Sequence, residues 1–235
     1  MSDPDPAQLR RVVAIDGPSG SGKSTVARAL AQALGFRYLD TGAMYRAVTW
    51  HLLRHEIPAD LPDGDLAERL AVLRLQLADG DRVELDGDDV TAHLRSREVE
   101  ARVSAVSARP PVRAMMRRLQ RQIAAAGPVV AEGRDMGTVV FPAALWKFFL
   151  DAAPDERARR RCLDFTARGR DVTEQQVLEE IQVRDHLDST RPDAPLRRAD
   201  GAVYFDTTGR SAAEVVEQLA RLVQQEEATG GSDPT

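Results

Sequence analysis

Apolar residues along this chain form short continuous runs that alternate with stretches of helical spacing. The run at 11–16 is followed by a loop and then by a helical pattern over 23–34, which stops at Gly35. The pattern predicts strands at 11–16, 36–40, 128–132, 146–151 and 202–206, and helices at 23–34, 43–55, 111–126, 154–167, 173–188 and 211–227. Strands that alternate with helices predict an α/β fold, with a parallel sheet covered on both faces.

The stretch 62–108 interrupts this alternation. It contains a helical pattern at 65–73, two short strand patterns at 75–78 and 82–85 with Asp-Gly turns, and a further helix from about Ser96. We interpret it as a small α+β insertion between two parts of one core, 11–61 and 109–227. The ends of the chain, 1–10 and 228–235, are rich in proline, glycine and small polar residues, and we expect them to be disordered.

The loop after the first predicted strand carries a phosphate-binding motif. Residues 17–24 have the sequence GPSGSGKS, a complete match to G-x-x-x-x-G-K-[ST] between a strand and a helix. Its glycines let the backbone wrap a phosphate chain, so that N–H groups and the positive helix end point at it. The predicted ATP-binding residues are Gly17, Pro18, Ser19, Gly20, Ser21, Gly22, Lys23, Ser24 and Thr25. Lys23 is expected to reach the β and γ phosphates, and the Ser24 hydroxyl to bind Mg²⁺.

Composition narrows the class of nucleotide-binding protein. The 235 residues carry 32 basic and 37 acidic side chains, a net charge of −5, which argues against a nucleic-acid polymer as partner. No apolar run approaches the ~20 residues of a membrane span, and a single cysteine cannot form an internal disulfide, so we expect a cytoplasmic protein that does not bind membranes. The chain has no asparagine, and therefore lacks the Asn-Lys-x-Asp segment with which GTPase switches select guanine. Phosphoryl transfer to a small acceptor is favoured, and a nucleotide-dependent switch or binding module is the alternative.

Arginines follow two of the predicted strands, where a doubly wound sheet presents its ligand crevice. Arg46 comes after the strand at 36–40, and Arg134 with Asp135 comes after the strand at 128–132, flanked by glycines. A guanidinium can bind a phosphate through two donors. For Arg46 alone, a surface position on a helix is the more ordinary interpretation, whereas the glycine-flanked pair is harder to explain in that way. The six arginines between 157 and 170 are either a solvated helix face or part of a lid over the phosphates.

Four segments, together with the phosphate loop, resemble the bacterial cytidylate kinases, a group of P-loop nucleoside monophosphate kinases. They are LDTGAMYRAV at 39–48, EGRDMGTVVFP at 132–142, ERARRR at 156–161 and RDHLDSTR at 184–191. The resemblance spans about residues 11–222. It implies a P-loop kinase fold with a five-stranded parallel core, a monophosphate-binding insertion and a short mobile lid at about 157–171. The chain departs from the expected pattern at Glu132, where we expect aspartate, and at Thr41, where some members carry serine.

The resemblance further implies an activity and the residues that carry it. The γ-phosphoryl group of ATP, held with Mg²⁺, would pass to CMP or dCMP in a monomeric enzyme. The implied catalytic residues are Lys23, Arg134, Arg157 and Arg161. The implied CMP-binding residues are Arg46 and Arg134 at the acceptor phosphate, with Ser19 beside them; Thr41, Arg184 and Asp188 at the ribose or nearby phosphate oxygens; Ser104, Arg113 and Asp135 at the cytosine edge; and Arg191 between acceptor and donor.

The proposed cytosine contact agrees with hydrogen-bond chemistry. Cytosine presents an exocyclic amino donor beside acceptors, which a carboxylate with an arginine and a hydroxyl would match. Uracil would turn an acceptor toward Asp135, and we therefore expect discrimination against UMP. A kinase of a different nucleoside monophosphate or of a hydroxylated metabolite remains the alternative within enzymes.

Overall fold

The computed structural model of the chain describes residues 4–5, 9–58, 60–78 and 81–230. The strands are β1 (Val12–Asp16), β2 (Arg37–Asp40), β3 (Leu75–Leu77), β4 (Val83–Leu85), β5 (Asp88–Asp89), β6 (Val129–Gly133), β7 (Trp146–Asp151) and β8 (Val203–Asp206). The helices are α1 (Lys23–Leu34), α2 (Thr41–Arg54), α3 (Asp63–Ala71), α4 (Arg97–Ser107), α5 (Pro110–Ala125), α6 (Pro154–Thr166), α7 (Glu174–Thr190) and α8 (Ala212–Gly230). Among these residues no helix has both the length and the apolar character needed to cross a membrane.

Five strands form a parallel sheet in the order β2-β6-β1-β7-β8, which confirms the predicted α/β fold. The central strand β1 is buried on both faces. Val12 and Ala14 pack in a cluster with α2 and α5, whereas Val13 and Ile15 pack in a second cluster with α1 and α8. A strand covered on both faces is apolar at nearly every position, and this explains the continuous run at 12–15.

The bounds of the helices follow local capping. The predicted and observed bounds of α1 coincide, because Gly35 adopts a left-handed φ of 67° and its N–H bonds to carbonyls of the last turn. Helix α2 begins at Thr41, two residues before the predicted start, since the Asp40 carboxylate caps it by accepting from the Ala43 N–H at 2.8 Å. The π-helical turn Met136–Val140 has no counterpart among the predicted elements.

The stretch predicted as an insertion contains α3, α4 and an antiparallel sheet in the order β3-β4-β5. Its apolar side chains, such as Leu66 and Val83, belong to the same buried cluster as those of α2 and α5. At its boundary, Arg109 donates to the Leu61 carbonyl at 2.5 Å and to the Asp63 carboxylate at 2.6 Å, and so joins the two points where the chain enters and leaves it. The division into a core and an insertion remains our interpretation.

The ends of the core differ from the prediction of disorder at two places. Leu9 is buried in the core, and the Arg10 carbonyl accepts from the Leu145 N–H at 3.1 Å, so apolar packing orders these two residues. Helix α8 continues to Gly230, three residues past its predicted end. The rest of that prediction, on 1–3, 6–8 and 231–235, lies outside the described residues.

Candidate active site

A crevice of about 760 Å³ opens at the carboxyl ends of β1, β2 and β6, where the sequence predicts it. The loop before α1, the start of α2, the end of β6 and parts of α4, α6 and α7 form its walls. The structure brings the following predicted residues together there: Ser19, Gly20, Gly22, Lys23, Ser24, Thr25, Thr41, Arg46, Arg113, Arg134, Asp135, Arg161, Arg184, Asp188 and Arg191.

Five predicted site residues lie elsewhere. Gly17, Pro18 and Ser21 do not line the crevice; the Ser21 hydroxyl donates to the Pro18 carbonyl at 3.1 Å and so shapes the phosphate loop from within. Ser104 lines an adjoining cavity of about 670 Å³ between α4 and α7. Arg157 lines neither of these cavities.

Lys23 is the buried basic residue of the phosphate loop. Its Nζ donates to the Pro18 carbonyl at 2.5 Å and to the Ser21 hydroxyl at 3.2 Å. Burial, together with the neighbouring charge of Arg134, lowers the pKa of Lys23 to about 7. Helix α1 starts at this residue with no acidic side chain in its first turn, so no carboxylate of that turn neutralises the positive helix end. Loop, lysine and helix end therefore form a site for an anion such as a phosphate chain.

We expect Gly20→Ala to disrupt the phosphate loop. Gly20 has a φ of +81°, and a Cβ added to it would lie 2.8 Å from the carbonyl oxygen of Arg157, a backbone atom that cannot move aside. We expect a loss of unfolding free energy of at least about 2 kcal/mol, from left-handed strain plus the clash, and ATP binding at least tenfold weaker. Chemical denaturation and calorimetric titration with ATP measure the two effects.

Gly35→Ala is the matched control for that substitution. Gly35 also has a positive φ, 67°, but an added Cβ would meet no atom within 4 Å. It should lose about 1 kcal/mol through backbone strain alone and keep the ATP affinity of the wild type. Equal losses of ATP affinity in the two variants would show that the clash at the loop is unimportant.

Asp135 and Arg113 form a buried ion pair in the wall of the crevice. The Arg113 Nη2 donates to Asp135 at 2.5 Å, its Nε donates to Asp193 at 2.9 Å, and Arg191 lies 3.5 Å from the second oxygen of Asp135. Asp135 and Arg113 are both almost completely buried. A carboxylate held between two guanidinium groups in this way is fixed in position.

Asp188 joins three arginines of the crevice, one of which, Arg191, it shares with Asp135. Arg134 donates from Nε to Asp188 at 2.9 Å, and Arg184 and Arg191 each lie 3.9 Å from its carboxylate. Burial opposes the charge of Asp188, but these guanidinium groups hold its pKa below the usual value. The cluster has an excess of positive charge, which suits an anionic ligand.

Three buried guanidinium nitrogens in the crevice have no hydrogen-bond acceptor among the described residues. They are the Nε atoms of Arg46 and Arg184 and the Nη2 atom of Arg191. Burial lowers the pKa of all three side chains, since a cation out of water loses its hydration. Buried donors are normally satisfied, so a bound anion would supply the missing acceptors.

Arg157, predicted to contact the transferred phosphoryl group, lies against the phosphate loop. Its Nη1 donates to the Ser19 carbonyl at 3.1 Å and to Asp185 at 2.6 Å, and its Nε donates to the Ala152 carbonyl. The next turn of α6 faces the crevice, where Arg160 and Arg161 both line the wall. Arg160 is held by Glu156 and by the hydroxyl and carbonyl of Thr207.

Asp16, which the sequence prediction did not name, supports the site from outside the lining of the crevice. Its two carboxylate oxygens accept from the N–H groups of Met136 and Gly137, each at 2.8 Å, and so tie the end of β1 to the turn that follows Asp135. Burial raises the pKa of Asp16 to about 7. Its position directly before the phosphate loop was visible in the sequence, but its backbone partners lie more than a hundred residues away.

Glu132, at a position where aspartate was expected, is held at the end of β6. Its carboxylate accepts from the Tyr38 hydroxyl at 3.0 Å, and its backbone carbonyl accepts from the Thr41 hydroxyl at 2.6 Å. Thr41 therefore uses its hydroxyl proton within the protein, and only its oxygen lone pairs remain for a ligand.

The residues around Ser24 fit the way in which proteins hold Mg²⁺ beside a nucleotide. Ser24 lines the crevice next to Lys23, and the described residues contain no cluster of three or more histidine, cysteine or carboxylate side chains that would cage an ion. Mg²⁺ bound with a nucleotide usually takes one or two protein ligands, and substrate phosphates and water complete its octahedron. A single hydroxyl at the loop is consistent with that arrangement.

A phosphate-binding loop after the central strand of a parallel sheet, facing a crevice rich in arginine, places the chain among the P-loop kinases. The sequence profile described as cytidylate kinase matches residues 13–225. A cytidylate kinase of Caldanaerobacter subterraneus is 47% identical over 213 residues, which are 91% of this chain and 94% of that protein. One from Mycobacterium leprae is 50% identical over 216 residues, 91% and 96% of the two chains. The chain belongs to the cytidylate kinase family and is therefore a kinase.

Proposed function

We propose that the enzyme transfers the γ-phosphoryl group of ATP to CMP or dCMP, giving ADP and CDP or dCDP, as a step of pyrimidine nucleotide metabolism. The observation that carries this proposal is the buried pair of Asp135 and Arg113 in the same crevice as Lys23. A fixed carboxylate suits the exocyclic amino group of cytosine, and the loop suits the donor phosphates. One end of the crevice would hold the acceptor base and the other the donor.

Transfer in line needs no general base in this site. An α-phosphate oxygen of CMP is already an anion at pH 7; it forms a bond to the γ-phosphorus while the bond from that phosphorus to the β,γ-bridging oxygen breaks, and ADP leaves. Catalysis then depends on positioning and on charge stabilisation. Lys23 would bind the donor phosphates, while Arg46, Arg134 and Arg184 would orient the acceptor phosphate.

Mg²⁺, held by Ser24 together with the nucleotide, would neutralise charge on the β and γ phosphates when bound. Arg161, which lines the crevice from α6, is the lid residue to which we assign contact with the transferred group. Arg157 would act indirectly, because it positions the Ser19 carbonyl of the loop. A monomeric enzyme, in the cytoplasm and without nucleic-acid or membrane partners, remains our prediction.

An assay across acceptors tests the proposed function. ADP release is measured with ATP and Mg²⁺ for CMP, dCMP, UMP, AMP, GMP and a shikimate-like alcohol. We expect CMP or dCMP to give a kcat/KM at least about 100-fold above that of UMP, since the wrong base leaves buried polar groups unpaired. If neither cytidine nucleotide accelerates ADP release, the proposal is wrong, and the best acceptor in the panel names the alternative.

A further inference from the structure

The arginines of the predicted lid divide into two groups by their partners. Arg157, Arg159 and Arg160 pair with carboxylates of α6 and α7, Glu156 and Asp185. Arg161, Arg168 and Arg170 all pair with one carboxylate outside the lid, that of Glu100 on α4. A single glutamate from the predicted insertion therefore faces three lid cations.

The geometry of this cluster is uneven. Arg170 donates a hydrogen bond to Glu100 at 3.0 Å, whereas Arg161 and Arg168 stand 3.8 Å away and make ion pairs without a hydrogen bond. The side chain of Glu100 is only 13% exposed, so water screens these charges less than it would at the surface. Arg161 and Arg170 also lie against the ring of Phe165, at 4.8 and 3.9 Å, which keeps them side by side. Three like charges would repel one another without the carboxylate, and with it the cluster still has an excess of two positive charges.

Glu100 shares one face of α4 with residues of the two cavities. Positions 100, 103, 104 and 107 are three or four residues apart and therefore lie on the same side of the helix. Val103 and Ser107 line the crevice, and Glu100 and Ser104 line the adjoining cavity. Arg161 lines both. A shift of this helix face around an acceptor would thus move the carboxylate that holds the lid arginines.

We propose that Glu100 is a positioning residue that couples the acceptor to the donor, because it holds Arg161, Arg168 and Arg170 of the lid against the helix that lines the acceptor side. This inference rests on the proposed function, since it takes CMP as acceptor and ATP as donor. Bound CMP fixes α4, α4 fixes Glu100, and Glu100 then presents Arg161 to the donor phosphates. CMP should accordingly tighten the binding of the donor, and by thermodynamic reciprocity the donor should tighten CMP by the same factor.

Glu100→Gln tests this coupling because it removes the charge and keeps the shape. The dissociation constant of the non-hydrolysable analogue AMP-PNP with Mg²⁺ is measured by calorimetry with and without saturating CMP. In the wild type we expect CMP to tighten AMP-PNP by about tenfold, within the usual range of coupling between sites. In Glu100→Gln the factor should fall below about twofold, while CMP alone binds within about twofold of the wild type.

Matched variants separate positioning from a general loss of structure. Glu98→Gln changes an exposed glutamate in the same helix and should keep the full coupling factor. Glu100→Asp keeps the charge on a shorter side chain and should therefore keep part of the coupling factor that Glu100→Gln loses. Arg170→Gln removes the hydrogen-bond partner of Glu100 at 3.0 Å and should lower the coupling factor as well. Combining it with Glu100→Gln should cause no further loss, because both substitutions break the same contact. Arg170→Gln also tests the proposal if Glu100→Gln folds poorly.

The outcomes distinguish the two proposals. If the wild type phosphorylates CMP but shows no coupling, or if Glu100→Gln keeps the full factor, the inference is overturned while the proposed function stands. The inference would also be overturned if Glu100→Gln bound AMP-PNP more tightly while CMP kept its full effect on that binding. Glu100 would then only compete with the phosphates of the nucleotide for the lid arginines. If the wild type neither binds nor phosphorylates CMP, both proposals fail.

Discussion

Lys23→Met should lower kcat about 1,000-fold with every acceptor tested. The ammonium of Lys23 is buried beneath the phosphate loop, with Nζ 2.5 Å from the Pro18 carbonyl. Removing a preorganised cation from a transferring group typically costs about 4 kcal/mol of transition-state stabilisation, and methionine keeps the length of the side chain. Steady-state ADP release with CMP and a second acceptor measures the loss, and an equal factor for both would show that Lys23 acts on the donor.

The chain supplies its own control, because it contains only one other lysine. Lys147 donates to the Pro142 carbonyl at 2.6 Å and does not line the crevice. Lys147→Met should leave kcat within about twofold of the wild type. Lys23→Arg is the informative partner variant: a planar guanidinium does not fit a site built for a compact ammonium, so activity should stay low although the charge is kept. Activity near that of the wild type in Lys23→Arg would contradict this account of the loop.

The elements of the core could be predicted because their determinants are local. Gly35 ends α1 through its left-handed backbone, and the buried strands β1 and β6 each open with a continuous apolar run, 12–15 and 129–131. The phosphate loop is local in the same sense, since one contiguous motif carries its glycines and its lysine. Such features depend on neighbours within a few residues, which the sequence displays directly.

The partners of the arginines could not be predicted in this way. Arg113 pairs with Asp135 and Asp193, which lie 22 and 80 residues away, so the chain offers no local pattern that links them. Arg157 and Arg161 are one helical turn apart in α6, yet one supports the phosphate loop and the other lines the crevice. Which residue of an arginine run faces a ligand is decided by how the helix packs, and charge composition does not contain that information.

The substitution Asp135→Asn should change the choice of acceptor more than any other single change in the crevice. The carboxylate of Asp135 is fixed by Arg113 at 2.5 Å, and an asparagine of the same shape would turn an amide donor toward the base. CMP would then meet a donor opposite its own amino group, whereas UMP would gain a partner for its carbonyl. We expect kcat/KM for CMP to fall about 100-fold, the effect of losing a well-placed base contact, and the preference for CMP over UMP to fall to within about threefold. Binding of ATP should change by less than about threefold.

Asp193→Asn decides whether Asp135 acts directly on the base or through Arg113. Asp193 accepts from the Arg113 Nε at 2.9 Å, but it is partly exposed and does not line the crevice. If Asp135 served only to hold Arg113 in place, loss of the Asp193 carboxylate, which also holds Arg113, should reproduce part of the change in base preference expected for Asp135→Asn. We expect instead that Asp193→Asn lowers kcat/KM for CMP and UMP by the same modest factor. A shift of the CMP to UMP ratio in this variant comparable with that of Asp135→Asn would assign the discrimination to Arg113, with both carboxylates serving to position it.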